Sequence, residues 1–319
     1  MKRFLLLLII FASSLAQAQL FNNEWINYSR TYYKFTVAAT GLYRINQGTL
    51  SSLGMGSIPA EQFQLWRNGQ EVPLYTSVQT GPMSGSDYLE FWGEMNDGKP
   101  DKVLYRIADF QLCDKWSLHT DTASFFLTVN PSGSNLRLIP TTNNVAGNVL
   151  PPEPYFLHTT GTYLREKINQ GYAAIVGEYV YSSAYDQGEG WTSFEIGTAV
   201  TRSFSHTNLN AYSGPGAPQP RLKINATGNA LNPRTFRVKI NGDSVLGQTM
   251  DYFDYVKADV PFNLSDLTGG TANVDITNLC PSPFDRFNVA CYEIVHPRQF
   301  NFGNASNFSF SLPANSNGN

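Results

Sequence analysis

Short segments in which apolar and polar residues alternate recur along most of the chain, and they restrict its fold more than any other feature. The stretch YYKFTVAATGLYRI at residues 32–45 is the first, with aromatic and β-branched residues around a turn at Gly41. Period-two alternation is typical of half-buried strands, and charged residues make up only 15% of the sequence. Helical periodicity is limited to residues 47–53 and 60–63. The sequence therefore predicts an all-β fold with little helix.

The strand candidates fall into two groups, separated by the proline-rich stretch LPPEP at residues 150–154. Proline cannot donate ladder hydrogen bonds, so we expect a domain boundary there. The first group predicts an N-terminal β-rich domain over residues 19–150, with strands at 32–37, 41–45, 63–67, 71–75, 87–92, 103–109 and 124–129. The second predicts a jelly-roll-like β-sandwich over residues 151–319, with strands at 177–182, 192–196, 200–206, 221–226, 235–240, 252–260, 272–279, 287–295 and 307–312.

The first 18 residues have the parts of a secretory signal peptide. Lys2 and Arg3 precede an apolar run at residues 4–11, and Ala16 and Ala18 are the small residues that a signal peptidase needs. We expect residues 1–18 to be removed and the chain to be exported through the Sec pathway to the periplasm, the outer membrane or the cell surface. No later apolar run is long enough to span a membrane.

The charge of the mature chain disfavours nucleic acid as a partner. Without Lys2 and Arg3, 20 of the 22 basic residues remain against 25 acidic ones, a net charge of −5. Proteins that bind nucleic acid need a basic patch that neutralises phosphates, and the sequence has no basic block.

The sequence contains three cysteines, and disulfides can form in an exported chain. Cys280 and Cys291 flank a predicted turn, which favours a disulfide between them that would stabilise the fold by roughly 2–3 kcal/mol. The alternative is that both are small buried hydrophobic residues. Cys113, in FQLCDKW, is expected to be a buried or partly buried free thiol.

The residue types that enzymes use form no recognisable constellation. His119, His158, His206 and His296 each lie in an apolar or threonine-rich setting, without the spacing of metal ligands. A cysteine peptidase needs a thiolate beside an oriented imidazole, and His296 would lie on the opposite strand face from Cys291. We therefore predict no catalytic residue, no metal ligand set and no enzyme activity.

One acidic loop is a candidate cation site. The stretch YDQGEGWTSFE at residues 185–195 places Asp186, Glu189 and Glu195 around two glycines. Carboxylate and carbonyl oxygens in a jelly-roll loop can bind calcium. The acids do not follow the order of a calcium-loop motif, and the alternative is a solvated turn. Calcium is the single cofactor for which the sequence offers ligands.

Several motifs together resemble one protein family. The segments YYKFTVAATGLYRI, FQLWRNGQEVPLY, SDYLEFWGEMNDGKPDKVLY, YDQGEGW, FRVKINGDSV and FNVACYEIVHPRQF are similar to the N-terminal region of gingipain-like, PorU-type cysteine peptidases. These peptidases are sortases of the Bacteroidetes type IX secretion system, and FWGEMNDG is the most specific block. The resemblance implies a non-catalytic region that supports or packs on a peptidase domain or other components of that system.

The catalytic residues of that family have no counterpart in this sequence. In the family, the β region precedes a caspase-like domain with a catalytic His in a His-Gly setting and a catalytic Cys. No His is followed by Gly here, and the sequence stops at NFSFSLPANSNGN. We therefore expect a gene fragment or a product separated from its downstream half. The alternative function is an exported carbohydrate-binding or adhesive β-sandwich, and a peptidase with a cryptic site is disfavoured by the histidine settings.

The surface that would meet a peptidase domain is expected near the C-terminal end. Phe300 and Phe302, like Phe308 and Phe310, are two residues apart, so each pair would share one strand face. An apolar patch of this kind marks an interaction surface. The alternative is that both pairs complete the sandwich core.

Overall fold

The protein is described by a computed structural model of residues 23–131, 134–142, 147, 152–175, 177–182, 184–305 and 308–313. The chain divides into two compact units, one of residues 1–95 and 122–143 and one of residues 96–121 and 144–319. Strands dominate both units, which confirms the predicted all-β class with little helix. Within the described residues, no helix is long and apolar enough to cross a membrane.

The first unit is built from two antiparallel sheets. Its elements are β1 (Tyr33–Val37), β2 (Gly41–Asn46), α1 (Gln47–Ser52), a 3-10 helix (Ala60–Gln62), β3 (Phe63–Arg67), β4 (Gln70–Val72), β5 (Tyr75–Thr76), β6 (Tyr88–Gly93) and β7 (Ala123–Val129). The strand orders are β1-β7-β3-β4 and β2-β6-β5. Buried side chains of both sheets, among them Leu65, Phe91 and Phe125, form its core.

The second unit is a β-sandwich with additional short hairpins. Its strands are β8 (Phe156–Tyr163), β9 (Lys167–Asn169), β10 (Gly171–Ile175), β11 (Glu178–Ser182), β12 (Gly190–Thr192), β13 (Ile196–Gly197), β14 (Thr201–His206), β15 (Arg221–Gly228), β16 (Arg234–Ile240), β17 (Asp243–Met250), β18 (Tyr255–Pro261), β19 (Ala272–Asn278) and β20 (Arg286–Arg298). It also has 3-10 helices at Lys99–Leu104, Ala108–Phe110 and Leu264–Leu267.

Two sheets of the second unit enclose its core. One has the order β13-β20-β15-β18 with β8 also paired to β20, and the other has the order β14-β19-β16-β17. Alternate residues of both sheets are buried in one cluster, for example Ile224, Val238, Ile276 and Ile294. The remaining strands pair as β10-β11 and β12-β9. This arrangement confirms the predicted sandwich.

Residues 96–121 belong to the second unit, although they lie between strands of the first unit in the sequence. The prediction assigned them to the N-terminal domain, and the structure differs. Asn225 Nδ2 donates a 2.6 Å hydrogen bond to the Leu112 carbonyl, and Trp191 Nε1 donates a 3.0 Å bond to the Ser117 carbonyl. Such long-range contacts leave no periodic signal in the segment itself. Residues 150 and 151 of the predicted joint lie outside the described residues.

A few strand predictions also differ from the structure. Residues 103–109 contribute to two 3-10 helices, because Pro100 favours the start of a helical turn, and Val103 and Ile107 stay exposed. Residue 307 of the predicted strand at 307–312 lies outside the described residues, and the described part forms an isolated bridge between Leu157 and Ser311. Sequence analysis missed β8, β9, β10 and β17. In β8 and β17, threonine and glycine interrupt the alternation.

Candidate functional site

The C-terminal phenylalanines surround the ring of Phe156, which lies at the start of β8 and is fully buried. The ring centroids of Phe300, Phe302, Phe308 and Phe310 lie 5.2, 5.7, 5.7 and 4.8 Å from that of Phe156. We call these five residues the phenylalanine cluster. Aromatic rings attract one another at such separations. The two predicted pairs therefore form one packed unit.

The chain after β20 is held against β8. Leu157 and Ser311 exchange backbone hydrogen bonds of 2.8 and 3.1 Å. The Arg298 guanidinium donates two hydrogen bonds, of 3.1 and 2.9 Å, to the Asn301 carbonyl. It also lies 5.1 Å from the centroid of the Phe308 ring, at which distance a cation is attracted to an aromatic face. These contacts fix the two segments that carry the exposed rings.

The outer side of the phenylalanine cluster is accessible. Phe300, Phe302 and Phe310 are 48%, 39% and 43% exposed, and the neighbouring Leu312 is 57% exposed. Covering such rings with another surface is favourable because it removes apolar area from water. The inner faces pack on Phe156, as the core alternative requires, and the outer faces form the apolar patch that the partner hypothesis requires.

The sequence analysis identified the exposed rings but not their arrangement. β20 ends at Arg298, so Phe300 and Phe302 do not share a strand face. Phe156, on which the cluster packs, was missed. Its only signal in the sequence is that it is the second of two aromatic residues after the proline-rich stretch.

Two histidines adjoin the phenylalanine cluster. His158 stacks on Phe308 with ring centroids 4.8 Å apart, and His296 lies opposite it on β20 and is fully buried. Burial lowers the pKa of His158 to about 4, the charge of Arg298 acts in the same direction, and the Ser309 carbonyl opposes both. In the described part of the chain, the Nδ1 atoms of both histidines are buried without a hydrogen-bond partner. The packed cluster therefore favours neutral His158.

We expect mild acid to destabilise the second unit through His158. Its pKa is about 4 when folded and 6.5 in the unfolded reference, so the unfolded chain binds the proton at higher pH. The stabilisation is fully present above the unfolded pKa and is lost as the pH falls towards the folded pKa. Melting temperatures measured across this pH range should fall less steeply for His158→Gln than for the unsubstituted chain.

Two other histidines that share this titration range remain as a common background in that measurement. Burial also lowers the pKa values of His206 and His296, and both residues remain in His158→Gln. The difference between the two melting curves therefore reports on His158 together with its charge coupling to His296. Equal pH dependence in both proteins would contradict the prediction.

The candidate calcium ligands do not all meet. The Glu189 carboxylate accepts a 3.1 Å hydrogen bond from the Asp186 backbone, and Asp186 is buried in an ion pair of 3.0 Å with Arg106. Glu195 instead forms an ion pair with Lys167. Among the residues that the structure describes, no group of three or more His, Cys, Asp or Glu side chains could hold a metal ion. Calcium binding stays a prediction. Of the three candidate ligands, Asp186 and Glu189 lie next to each other.

The predicted disulfide between Cys280 and Cys291 is not formed, and all three cysteines are free thiols. Cys280 follows β19 and donates a 3.4 Å hydrogen bond to the Pro233 carbonyl. Cys291 lies on β20, in the other sheet, and donates a 3.7 Å hydrogen bond to the Leu112 carbonyl. Proximity in the sequence is misleading here because the intervening turn crosses from one sheet to the other.

The remaining histidines have ordinary structural contacts. His119 and His206 each lie within hydrogen-bonding distance of a tyrosine hydroxyl. His296 lies 3.1 Å from the Leu209 carbonyl oxygen, through Nε2. Among the described residues, the hydrogen-bond partners of these three rings include tyrosine hydroxyls and a backbone carbonyl and no thiol. The expected lack of catalytic residues stays a prediction.

Comparison with known proteins gives a likeness of fold. No protein-family model and no curated protein matches the sequence. The structure resembles dimeric latent PorU from Porphyromonas gingivalis, with a TM-score of 0.53 and 12% sequence identity. The likeness covers 86% of this chain and 25% of PorU. The chain thus spans about a quarter of the length of that protein.

Two carbohydrate-related structures are more distant. The CBM36-1 domain of a multidomain xylanase from the hindgut metagenome of Trinervitermes trinervoides has a TM-score of 0.26 and 10% identity, over 43% of this chain and 96% of that domain. A beta-porphyranase from Bacteroides plebeius has a TM-score of 0.28 and 11% identity, over 86% of this chain and 36% of the enzyme. Both TM-scores are too low to indicate a shared fold.

Proposed function

We propose that this chain is the non-catalytic β region of a gingipain-like, PorU-type sortase and packs on a cysteine peptidase domain. The fold likeness to latent PorU over 86% of the chain is the observation that carries the proposal. The sequence motifs of the same family support it. Export through a signal peptide at residues 1–18 is part of the proposal, because a component of a secretion system acts outside the cytoplasm.

The phenylalanine cluster is the surface that we assign to this contact. Aromatic side chains are enriched among the residues that dominate binding energy, particularly where they are already packed in place. Phe300, Phe302 and Phe310 contact the buried ring of Phe156 before any partner binds. Less side-chain entropy is therefore lost on binding. The nearby Arg298 guanidinium already donates a hydrogen bond to the Asn301 carbonyl.

Calorimetric titration of the chain with the isolated peptidase domain of a PorU-type sortase tests the proposal. We expect a dissociation constant of about micromolar or below. Replacing Phe300 and Phe310 together with serine should weaken binding at least about tenfold, because two aromatic contacts are lost. Phe284→Ser is the matched control, since it removes a ring that is 80% exposed elsewhere in the second unit. Absence of binding between folded proteins, or an equal loss in the control, would contradict the proposal.

Carbohydrate binding is the second candidate function, and a tyrosine-lined groove favours it. An open groove of 800 Å³ beside the β10-β11 hairpin is lined by aromatic residues, namely Tyr172, Tyr179, Tyr181, Tyr252 and Phe253. The ring of Tyr181 is 69% exposed, and Tyr172 stacks on Phe253 at 3.9 Å. Tyrosine offers an apolar face together with a hydroxyl, which suits the mixed surface of a sugar ring.

The two candidate functions are separable by titration with soluble polysaccharides. Binding that Tyr181→Ala abolishes, and that the double serine variant of the phenylalanine cluster retains, would support the carbohydrate function. If Tyr181→Ala still binds the peptidase domain, as shown by the heat of titration, the result would support the sortase function.

A further inference from the structure

A cavity of 890 Å³ in the second unit is lined by the 96–121 segment and by β15, β18 and β20. Its lining includes five lysines and four acidic residues, so the charges nearly balance and select neither an anion nor a cation. The same lining includes Cys113 and Cys291. These two thiols have no role in the proposed function.

The 96–121 segment is anchored beside Cys291. Asn225 lies opposite Cys291 in the pairing of β15 with β20, and its Nδ2 donates a 2.6 Å hydrogen bond to the Leu112 carbonyl. The Cys291 thiol donates to the same carbonyl at 3.7 Å. Cys113 directly follows Leu112 and lines the same cavity as Cys291, so the two thiols are neighbours and each shifts the pKa of the other.

The surroundings give the two thiols different reactivity. The neighbouring Cys291 thiol lowers the pKa of the Cys113 thiol, burial opposes this, and the Lys115 backbone N–H supports it. The neighbouring Cys113 thiol, together with burial, raises the pKa of Cys291. Cys113 is partly exposed, whereas Cys291 is buried. An accessible thiol with a lowered pKa beside a buried thiol is the arrangement of an attacking and a resolving cysteine.

We propose that Cys113 and Cys291 are joined by a disulfide in the oxidised protein, with an organic disulfide as the oxidant. The Cys113 thiolate attacks one sulfur of the oxidant, which forms a mixed disulfide and releases one external thiol. The Cys291 sulfur then attacks Cys113 Sγ, loses its proton and displaces the second external thiol. Two protein thiols are oxidised, one external disulfide is reduced to two thiols, and the two protein protons leave on those products.

The disulfide would tie the 96–121 segment covalently to β20. That segment is otherwise held by side-chain hydrogen bonds such as those of Asn225 and Trp191. A covalent link between residues so far apart in sequence restricts the unfolded chain strongly. The expected result is a rise in melting temperature on the order of 5–10 °C when the reduced chain is oxidised.

Peptide mapping of the purified full chain tests the proposal. After treatment with oxidised glutathione, non-reducing digestion should yield a linked pair of peptides that contain Cys113 and Cys291, and the protein should lose two hydrogen atoms in mass. Cys280→Ser should retain both the link and the rise in melting temperature, and Cys113→Ser should lose both.

Three outcomes would overturn the proposal, and each is visible in the unsubstituted chain, so none depends on a variant that folds. The first is a link that involves Cys280. The second is a stable mixed disulfide between glutathione and Cys113, without formation of the disulfide to Cys291. The third is full alkylation of all three thiols after the oxidant has been applied.

Discussion

Arg234→Met is expected to lower the free energy of unfolding by about 3–5 kcal/mol, the cost of leaving one buried charge without its partner. Arg234 and Asp285 have fully buried side chains, with Nε 3.0 and 3.1 Å from the two carboxylate oxygens. Arg234 also donates hydrogen bonds of 2.6 and 2.8 Å to the Tyr252 and Ala230 carbonyls. The substitution would leave the Asp285 carboxylate with the Asn278 amide, 2.8 Å away.

Urea unfolding with a matched surface variant checks this prediction. Arg221→Met breaks an ion pair of 2.7 Å with Asp259, in which the two side chains are 46% and 47% exposed. An exposed pair contributes little, so the control should lose less than about 1 kcal/mol. Replacing Asp285 with leucine in the Arg234→Met background should recover part of the loss, because no unpaired charge remains. Similar losses for the buried and the exposed pair would contradict the prediction.

Phe156→Ala is expected to cost about 3–5 kcal/mol of unfolding free energy. Its ring is fully buried and contacts the four other rings of the phenylalanine cluster. Alanine would leave a cavity in the middle of these contacts and free the exposed rings. Urea unfolding measures the loss, and titration with the peptidase domain should show weaker binding for the same variant.

A conservative variant and a surface variant complete that experiment. Phe156→Leu preserves much of the volume and should lose clearly less stability than Phe156→Ala. Phe284→Ala, at a position that is 80% exposed, should change stability by less than about 0.5 kcal/mol. If Phe156→Ala behaved like the surface variant, the phenylalanine cluster would not be a packed unit and could not serve as a preformed binding surface.

Alternation of polar and apolar residues predicts a strand well only where one face of that strand is buried in the core of the sandwich. The sequence of β16, RTFRVKI, alternates, and its burial alternates in the same phase. β8, FLHTTGTY, buries its first residue fully, and its other residues show no alternating burial. This strand is defined by its pairing with β20 rather than by a sequence period. Residues 103–109 alternate without forming a strand, because both ends of this segment belong to 3-10 helices.

The candidate site was predictable only in part, because the sequence shows local patterns but not which distant segments pair. Phe300, Phe302, Phe308 and Phe310 stand out in the sequence as closely spaced aromatic residues near the C-terminal end, and Phe300, Phe302 and Phe310 form the accessible patch. Phe156 could not be predicted, because its place under those rings depends on the pairing of β8 with β20. The cysteines show the same limit, since the nearest cysteine in sequence to Cys291 is Cys280, whereas its neighbour in space is Cys113.

Local patterns were thus sufficient for the all-β class, most strands of the sandwich and the exposed phenylalanines, because alternation and turn chemistry are properties of short segments. The assembled sheets were needed to place residues 96–121 in the second unit, to bury Phe156 under the C-terminal rings and to bring Cys113 to Cys291. Each of these is a contact between distant parts of the chain. It is selected by the burial of apolar surface and by hydrogen bonds that exist only once the strands have paired.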